Sequence, residues 1–157
     1  MQPDAHIITT LARLGDSALN TGDIPVAAIL LYNNDVLGAG YNTVKRNRLA
    51  GGHAEINALT DAMSKTGVDS FMRLDREHLT LITTWEPCPM CKGSIIEYNI
   101  RHVIVLKTKT MSYWLKQWEK SLKYEWNKQA AITDTLQLRL FEKHPLYDQQ
   151  KGKLNSI

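Results

Sequence analysis

LTLITTWEPCPMCKGSIIEYNIRHVIVL, residues 79–106, decides the fold. Leu79 to Trp85 is β-rich and mostly apolar, the pattern of a buried strand. Pro87 follows, close to the first position of a helix predicted over Cys88 to Tyr98, where its fixed φ and missing N–H do no harm. His102 to Leu106 is a second short apolar run. A strand, a helix and a strand joined by short connections imply two parallel strands with a right-handed crossover.

Upstream, Ile7, Ile8, Leu11, Leu14 and Ala18 fall at helical spacing. Thr21-Gly22-Asp23 closes that helix, with Gly22 suited to a left-handed terminal position. Val26 to Tyr32 and Val36 to Tyr41 are apolar runs separated by Asn33-Asn34-Asp35, which predicts a β-hairpin. Thr43 to Gly52 is polar and ends in glycine, a loop. His53 to Met63 places Ile56, Leu59 and Met63 at helical spacing, with Gly67 as its stop. The predicted order is αββαβαβ, followed by a mostly helical tail from about residue 111. No repeat or low-complexity segment breaks the chain, so residues 1–157 are expected to form one domain.

Bulk properties set the class. The chain has 157 residues, 43% apolar and 22% charged, with a formal net charge of +3. That length buries enough surface to need no disulfide staples. The two cysteines lie three apart, which excludes a disulfide framework. Met1 to Thr10 lacks the apolar core of a signal peptide, and no window approaches the roughly 18 apolar residues that cross a bilayer. A cytoplasmic protein without membrane contact is expected. The basic cluster Lys45-Arg46-Asn47-Arg48 is short, and its plainer reading is a solvated loop.

Two motifs carry chemistry: His53-Ala54-Glu55 and Pro87-Cys88-Pro89-Met90-Cys91. Cysteines three apart at a helix start share a face, and the helix N-terminus favours their thiolates. Alone, such a pair is also consistent with a redox couple or half of a structural zinc site. His53, at the start of the other helix and just after Gly51-Gly52, changes the balance. One imidazole and two thiolates give a zinc ion three ligands and leave a position open, the catalytic arrangement. Glu55 can reach a water at that position without binding the metal, and can relay its protons.

With these residues assembled, the chain resembles the cytidine deaminase-like superfamily of zinc nucleobase deaminases. The likeness runs from about residue 6 to residue 106. Asp23-Ile24-Pro25-Val26-Ala27-Ala28 is similar to the family's first strand, Gly40-Tyr41-Asn42 to the end of its second, and Thr83 to Ile95 to its third strand and following helix. The resemblance implies an α/β fold, a three-layer α-β-α sandwich with a central mixed sheet of five strands flanked by helices, Ala130 to Leu136 being the candidate for the fifth. It implies His53, Cys88 and Cys91 as ligands of one zinc per chain and Glu55 as general acid/base. It also implies Asn42 as a base contact, main-chain groups near Ala28 lining the pocket, and a homodimer.

The region from Asn42 to Ile56 is most similar to the branch holding tRNA adenosine, guanine and fungal-type cytosine deaminases. Two departures bear on substrate. Leu49-Ala50-Gly51-Gly52 stands where the tRNA and guanine enzymes carry Asp-Pro, and Lys107-Thr108-Lys109-Thr110-Met111 replaces a small, glycine-bearing segment. Trp114, Trp118, Leu122 and Trp126 recur every four residues, one stripe of a helix. That stripe packs on the core or on a partner subunit, or else Trp114 stacks on the substrate. On these grounds a small free base or nucleoside, of the guanine or cytosine kind, is the expected substrate. A tRNA wobble adenosine is the alternative, and a noncatalytic zinc module or a thiol redox protein the rivals of another class.

Overall fold

The structure is a computed structural model that describes residues 3–124, 136–137, 139–145, 147–148 and 153–154. The chain divides into two compact units, Met1–Gln117 and Trp118–Ile157. In the first, helix α1 (Ala5–Asn20) is opened by Asp4, whose carboxylate accepts the Ile7 N–H at 2.8 Å. A cap of this kind is worth about 1 kcal/mol. Gly22, at φ 73°, turns the chain after the helix.

Strands β1 (Ala27–Tyr32) and β2 (Asp35–Tyr41) pair antiparallel, Tyr32 opposite Asp35 and Ala27 opposite Tyr41. Asn33 and Asn34 between them both take positive φ, 51° and 70°. This two-residue turn matches the twist of the strands it joins. A one-turn helix, α2 (Val44–Asn47), follows within the segment expected to be loop. Helix α3 (Ala54–Thr66) and the short α4 (Val68–Met72) come next. Strand β3 (Leu79–Thr83), helix α5 (Pro89–Glu97) and strand β4 (His102–Val105) form the predicted crossover, with β3 and β4 parallel. Helix α6 (Met111–Ser121) follows. The sheet order is β2-β1-β3-β4, and β1 is antiparallel to both neighbours.

Successive side chains of β1 serve opposite layers, as the two-residue period of a strand requires. Ala27, Ile29 and Leu31 pack with Ile7 and Leu11 of α1. Ala28 and Leu30 pack with Ala54, Ala58, Leu59 and Ala62 of α3 and Ile95 of α5. The result is a mixed sheet with helices on both faces. Among the described residues this sheet has four strands, where five were expected. Of the candidate fifth strand, residues 130–135 lie outside the described residues and Leu136 is helical. In the second unit, a two-residue pair, β5 (Tyr147–Asp148) and β6 (Lys153–Leu154), forms a separate antiparallel sheet. Among the described residues no helix is long and apolar enough to cross a membrane.

Helix α3 lies unusually close to β2. A Cβ on Gly38 would fall 2.3 Å from the Ala58 carbonyl oxygen, and one on Gly40 would fall 2.6 Å from the Ala54 carbonyl oxygen. Glycines facing alanines let the helix backbone rest on the strand. Asp61 reinforces this from α3 by accepting the Ala39 N–H at 2.9 Å. Gly40→Val is expected to lower unfolding free energy by about 1–3 kcal/mol through overpacking. Urea titration measures it. Gly93→Ala, in a helix with nothing within 4 Å of the added Cβ, should instead raise stability by about 0.5–1 kcal/mol.

Candidate metal centre and its cavity

Because β1 runs against β2 and β3, and β4 runs with β3, the start of β1 and the ends of β2, β3 and β4 lie at one end of the sheet. The segments leaving those strand ends build the site. His53 is the residue preceding α3 and Cys88 the residue preceding α5, so two helix N-termini meet there. His53 Nδ1 lies 3.6 Å from Cys88 Sγ and 3.4 Å from Cys91 Sγ, and the two sulfurs are 3.5 Å apart. Around a tetrahedral zinc with bonds of about 2.3 Å to sulfur and 2.0–2.1 Å to nitrogen, ligand atoms stand about 3.5–3.8 Å apart. The donor set fits such an ion, and among the described residues it is the one group of three or more potential ligands so placed. Neither cysteine is in a disulfide.

Glu55, in the first turn of α3, is buried at 4% exposure, and its Oε2 accepts from Cys91 Sγ at 3.4 Å. Burial pushes its carboxyl above the ordinary value, partly offset by a backbone N–H and the Cys91 contact. Contact with Cys91 lowers the Cys88 thiol to about 5, against burial and with help from the Cys91 and Met90 N–H groups and His53. Cys91 is pushed far up by its contact with Cys88, by burial and by the Glu55 carboxylate. The two sulfurs thus oppose ionisation of both at once, and burial adds to the cost of charging the pair.

A cavity of about 400 Å³ opens over this floor, with Asp23, Ile24 and Val26 before β1 and Asn42, Val44 and Lys45 after β2 on its walls. Trp85, Glu86, Lys109 and Tyr113 also line it. Asn42 is buried, and its Oδ1 accepts the Val44 N–H at 3.1 Å. Ala28 is packed in the core, and Val26, two residues upstream, is the neighbour that reaches the cavity. Trp114 is half-buried outside the cavity lining. Its Nε1 donates to Glu86 Oε2 at 3.3 Å, and Lys92 Nζ sits 3.8 Å from its ring centroid. Trp118 and Leu122 are exposed, and Trp126 lies outside the described residues.

Several positioning groups escape a motif search. The buried Asp23 carboxylate accepts the Lys45 N–H at 2.6 Å, the Arg46 N–H at 3.2 Å and the Thr21 hydroxyl at 3.0 Å. Burial alone would raise its pKa, and these three bonds outweigh it and hold the group low. Asn57, one turn beyond His53, donates from Nδ2 to the Tyr41 carbonyl at 2.7 Å and the Thr43 hydroxyl at 3.0 Å, tying α3 to the end of β2. Its helical spacing from His53 is the signal that could have found it. Glu86 accepts the Lys109 N–H at 2.8 Å and Lys92 Nζ at 3.0 Å, which keeps its carboxyl below the usual range and fastens the segment after β4 beside Cys88.

The zinc-binding region of the cytidine and deoxycytidylate deaminase family matches residues 1–107. Over 83 residues the chain is 37% identical to a tRNA-specific adenosine deaminase of Buchnera aphidicola, covering 53% of this chain and 48% of that protein. It is 35% identical to tRNA-specific adenosine deaminase 2 of Xenopus laevis over 89 residues, 53% of this chain and 48% of that one. The chain thus spans about half the length of these curated relatives. A structure from work on A-to-I editing by tRNA:A34 deaminases aligns with a TM-score of 0.59 at 25% identity, over 66% of this chain and 76% of its own. Guanine deaminase of Bacillus subtilis shares the fold, with a TM-score of 0.72 at 18% identity over 94% of this chain and 99% of its own.

Zinc binds cysteine as thiolate, so loading the centre must displace any proton the pair holds. Apparent zinc affinity should therefore rise between pH 7 and 8, about tenfold for each proton displaced. Competition against a chromophoric chelator at the two pH values measures this.

Proposed function

This chain belongs to the cytidine and deoxycytidylate deaminase family through its zinc-binding region, residues 1–107, and from that premise we propose that it removes the exocyclic amine of adenosine in an RNA strand, a tRNA foremost, by hydrolysis. The observation that carries the reaction type is the convergence of His53, Cys88 and Cys91 on the floor of a cavity, with the non-ligand Glu55 buried beside them. The relatives named as tRNA-specific adenosine deaminases support the substrate. They favour it over the small free base expected from the sequence.

In this reading His53 Nδ1 and the sulfurs of Cys88 and Cys91 would hold zinc, which when bound would supply the Lewis acidity that makes water a nucleophile near neutral pH. Glu55 takes a proton from the attacking water and gives it to the ring nitrogen beside the carbon under attack. A second proton passes through the same carboxyl to the departing amine. Water and an amidine become a lactam and ammonia, and Glu55 ends in the state in which it began. Its burial suits the task, because a raised pKa brings a carboxyl closer to the operating pH of a proton relay. Asn42 commits its Oδ1 to Val44, which leaves the amide's donor group to meet a ring acceptor of the base. The same reading takes the assembly as a homodimer.

Glu55→Ala should retain one zinc per chain while turnover falls by about 10²–10⁴-fold. Metal analysis and an ammonia assay read the two quantities separately, and a variant that keeps its activity would overturn the assigned role. Ammonia release should then be compared for a tRNA anticodon stem-loop, adenosine, cytidine, guanine and cytosine. The stem-loop is expected to be the best substrate. Release confined to guanine or cytosine would overturn the RNA reading and leave the chemistry in place.

A further inference from the structure

The basic cluster Lys45-Arg46-Asn47-Arg48 has the composition of an ordinary solvated loop, yet it is held in place. Asp23 accepts the N–H groups of Lys45 and Arg46, and the Arg46 guanidinium donates to the Tyr41 hydroxyl at 2.5 Å. Lys45 itself is exposed and lines the cavity. The other cation on the cavity wall, Lys109, is also positioned. Its ammonium donates to the Glu86 carbonyl oxygen and lies 4.0 Å from the Trp85 ring centroid.

Among the described residues, Lys65, Lys92 and Arg101 each form an ion pair with a carboxylate within 4.0 Å. None of Lys45, Arg46, Arg48, Lys107 and Lys109 has such a pair. Arg13, Lys116, Lys120 and Lys123 also lack a carboxylate partner among the described residues, but of the unpaired lysines and arginines only Lys45 and Lys109 line the cavity. Asp23 lies near Lys45, but its oxygens are taken up by backbone N–H groups and the Thr21 hydroxyl. Glu86 is likewise engaged by Lys92, Trp114 and the Lys109 N–H.

Topology separates the two lysines. Lys45 follows β2 at one edge of the sheet and Lys109 follows β4 at the other, with β1 and β3 between. Three inter-strand gaps of about 4.8 Å place those edges roughly 14 Å apart. The bonds of Lys45 to Asp23 before β1 and of Lys109 to Glu86 after β3 draw both lysines inward from the edges, toward the cavity. The cavity and its metal centre lie between them. A free base would engage neither bank and a nucleoside monophosphate only one. A nucleotide within a strand carries a phosphodiester on each side.

We propose that Lys45 and Lys109 hold the two phosphodiesters flanking the target nucleotide, so that the site takes its base from a single-stranded polynucleotide laid across the cavity mouth. This rests on the deaminase reading for the identity of the target base, but the phosphate contacts can be tested without turnover. A fluorescent pentaribonucleotide with a central adenosine is titrated by anisotropy into full-length, zinc-loaded Glu55→Ala protein between 50 and 200 mM salt. Deamination of the same strand is scored separately with the parental chain.

Single strands lose counterions with a slope of about 0.7 per phosphate contact, so two contacts predict a log affinity against log salt slope near −1.4. Lys45→Gln and Lys109→Gln should each reduce its magnitude by about 0.7. Lys45→Arg and Lys109→Arg should preserve it, which separates lost charge from lost fold. Lys65→Gln should leave it unchanged. A slope that stays at the parental value in both Gln variants overturns the proposal, even if the strand is deaminated. A slope that falls in both, with no deamination of the strand, sustains it and sinks the proposed RNA substrate instead.

Discussion

The approach of helix α3 to strand β2 is the constraint on which the site depends. Two glycines on the strand and alanines on the helix bring backbone against backbone, with clearance for no side chain larger than a hydrogen on the strand. Helices commonly float on a layer of side chains and can shift as that layer repacks. Here there is no such layer, so the strand dictates where α3 begins. His53 and Glu55 stand at that beginning, and the Asn57 bonds to the end of β2 fix the same point from the side. The cysteine half of the centre is placed differently, by the rigid turn through Pro87 and Pro89 at the exit of a buried strand.

The parts of the fold that are local in sequence were legible from it. The hairpin, the crossover, α1 and α3 all follow from apolar period and turn residues, and the structure has them. The convergence of His53 with Cys88 and Cys91 was legible because each sits at a strand-to-helix junction, and such junctions gather at one end of a sheet. What escaped has a different physical origin. The one-turn helix α2 depends on Asp23, which accepts its N–H groups from 22 and 23 residues away in the chain. No window of sequence contains that bond.

Trp114 illustrates the same limit at the level of a side chain. Its spacing with Trp118 and Leu122 correctly marks a helix, but spacing says nothing about what lies opposite the ring. The structure gives it the Lys92 ammonium and the Glu86 carboxylate. The aromatic groups that do line the cavity, Trp85 and Tyr113, stand beside the motif or at the helix start, where period carries no information. Electrostatics chose the arrangement: Glu86 collects donors from three places, and the segment after β4 follows them.

Strand β4 carries one more consequence. Among the described residues it is bonded to β3 alone, so within them its outer margin has no strand partner. Such a margin can template the growth of a foreign strand, and proteins restrain it by keeping the edge short or placing charge beside it. This edge is four residues long, begins at His102, and has Arg101 and Glu77 paired alongside. Brevity and flanking charge are features that discourage the addition of a foreign strand, and they belong to the same crossover that delivers the cysteines.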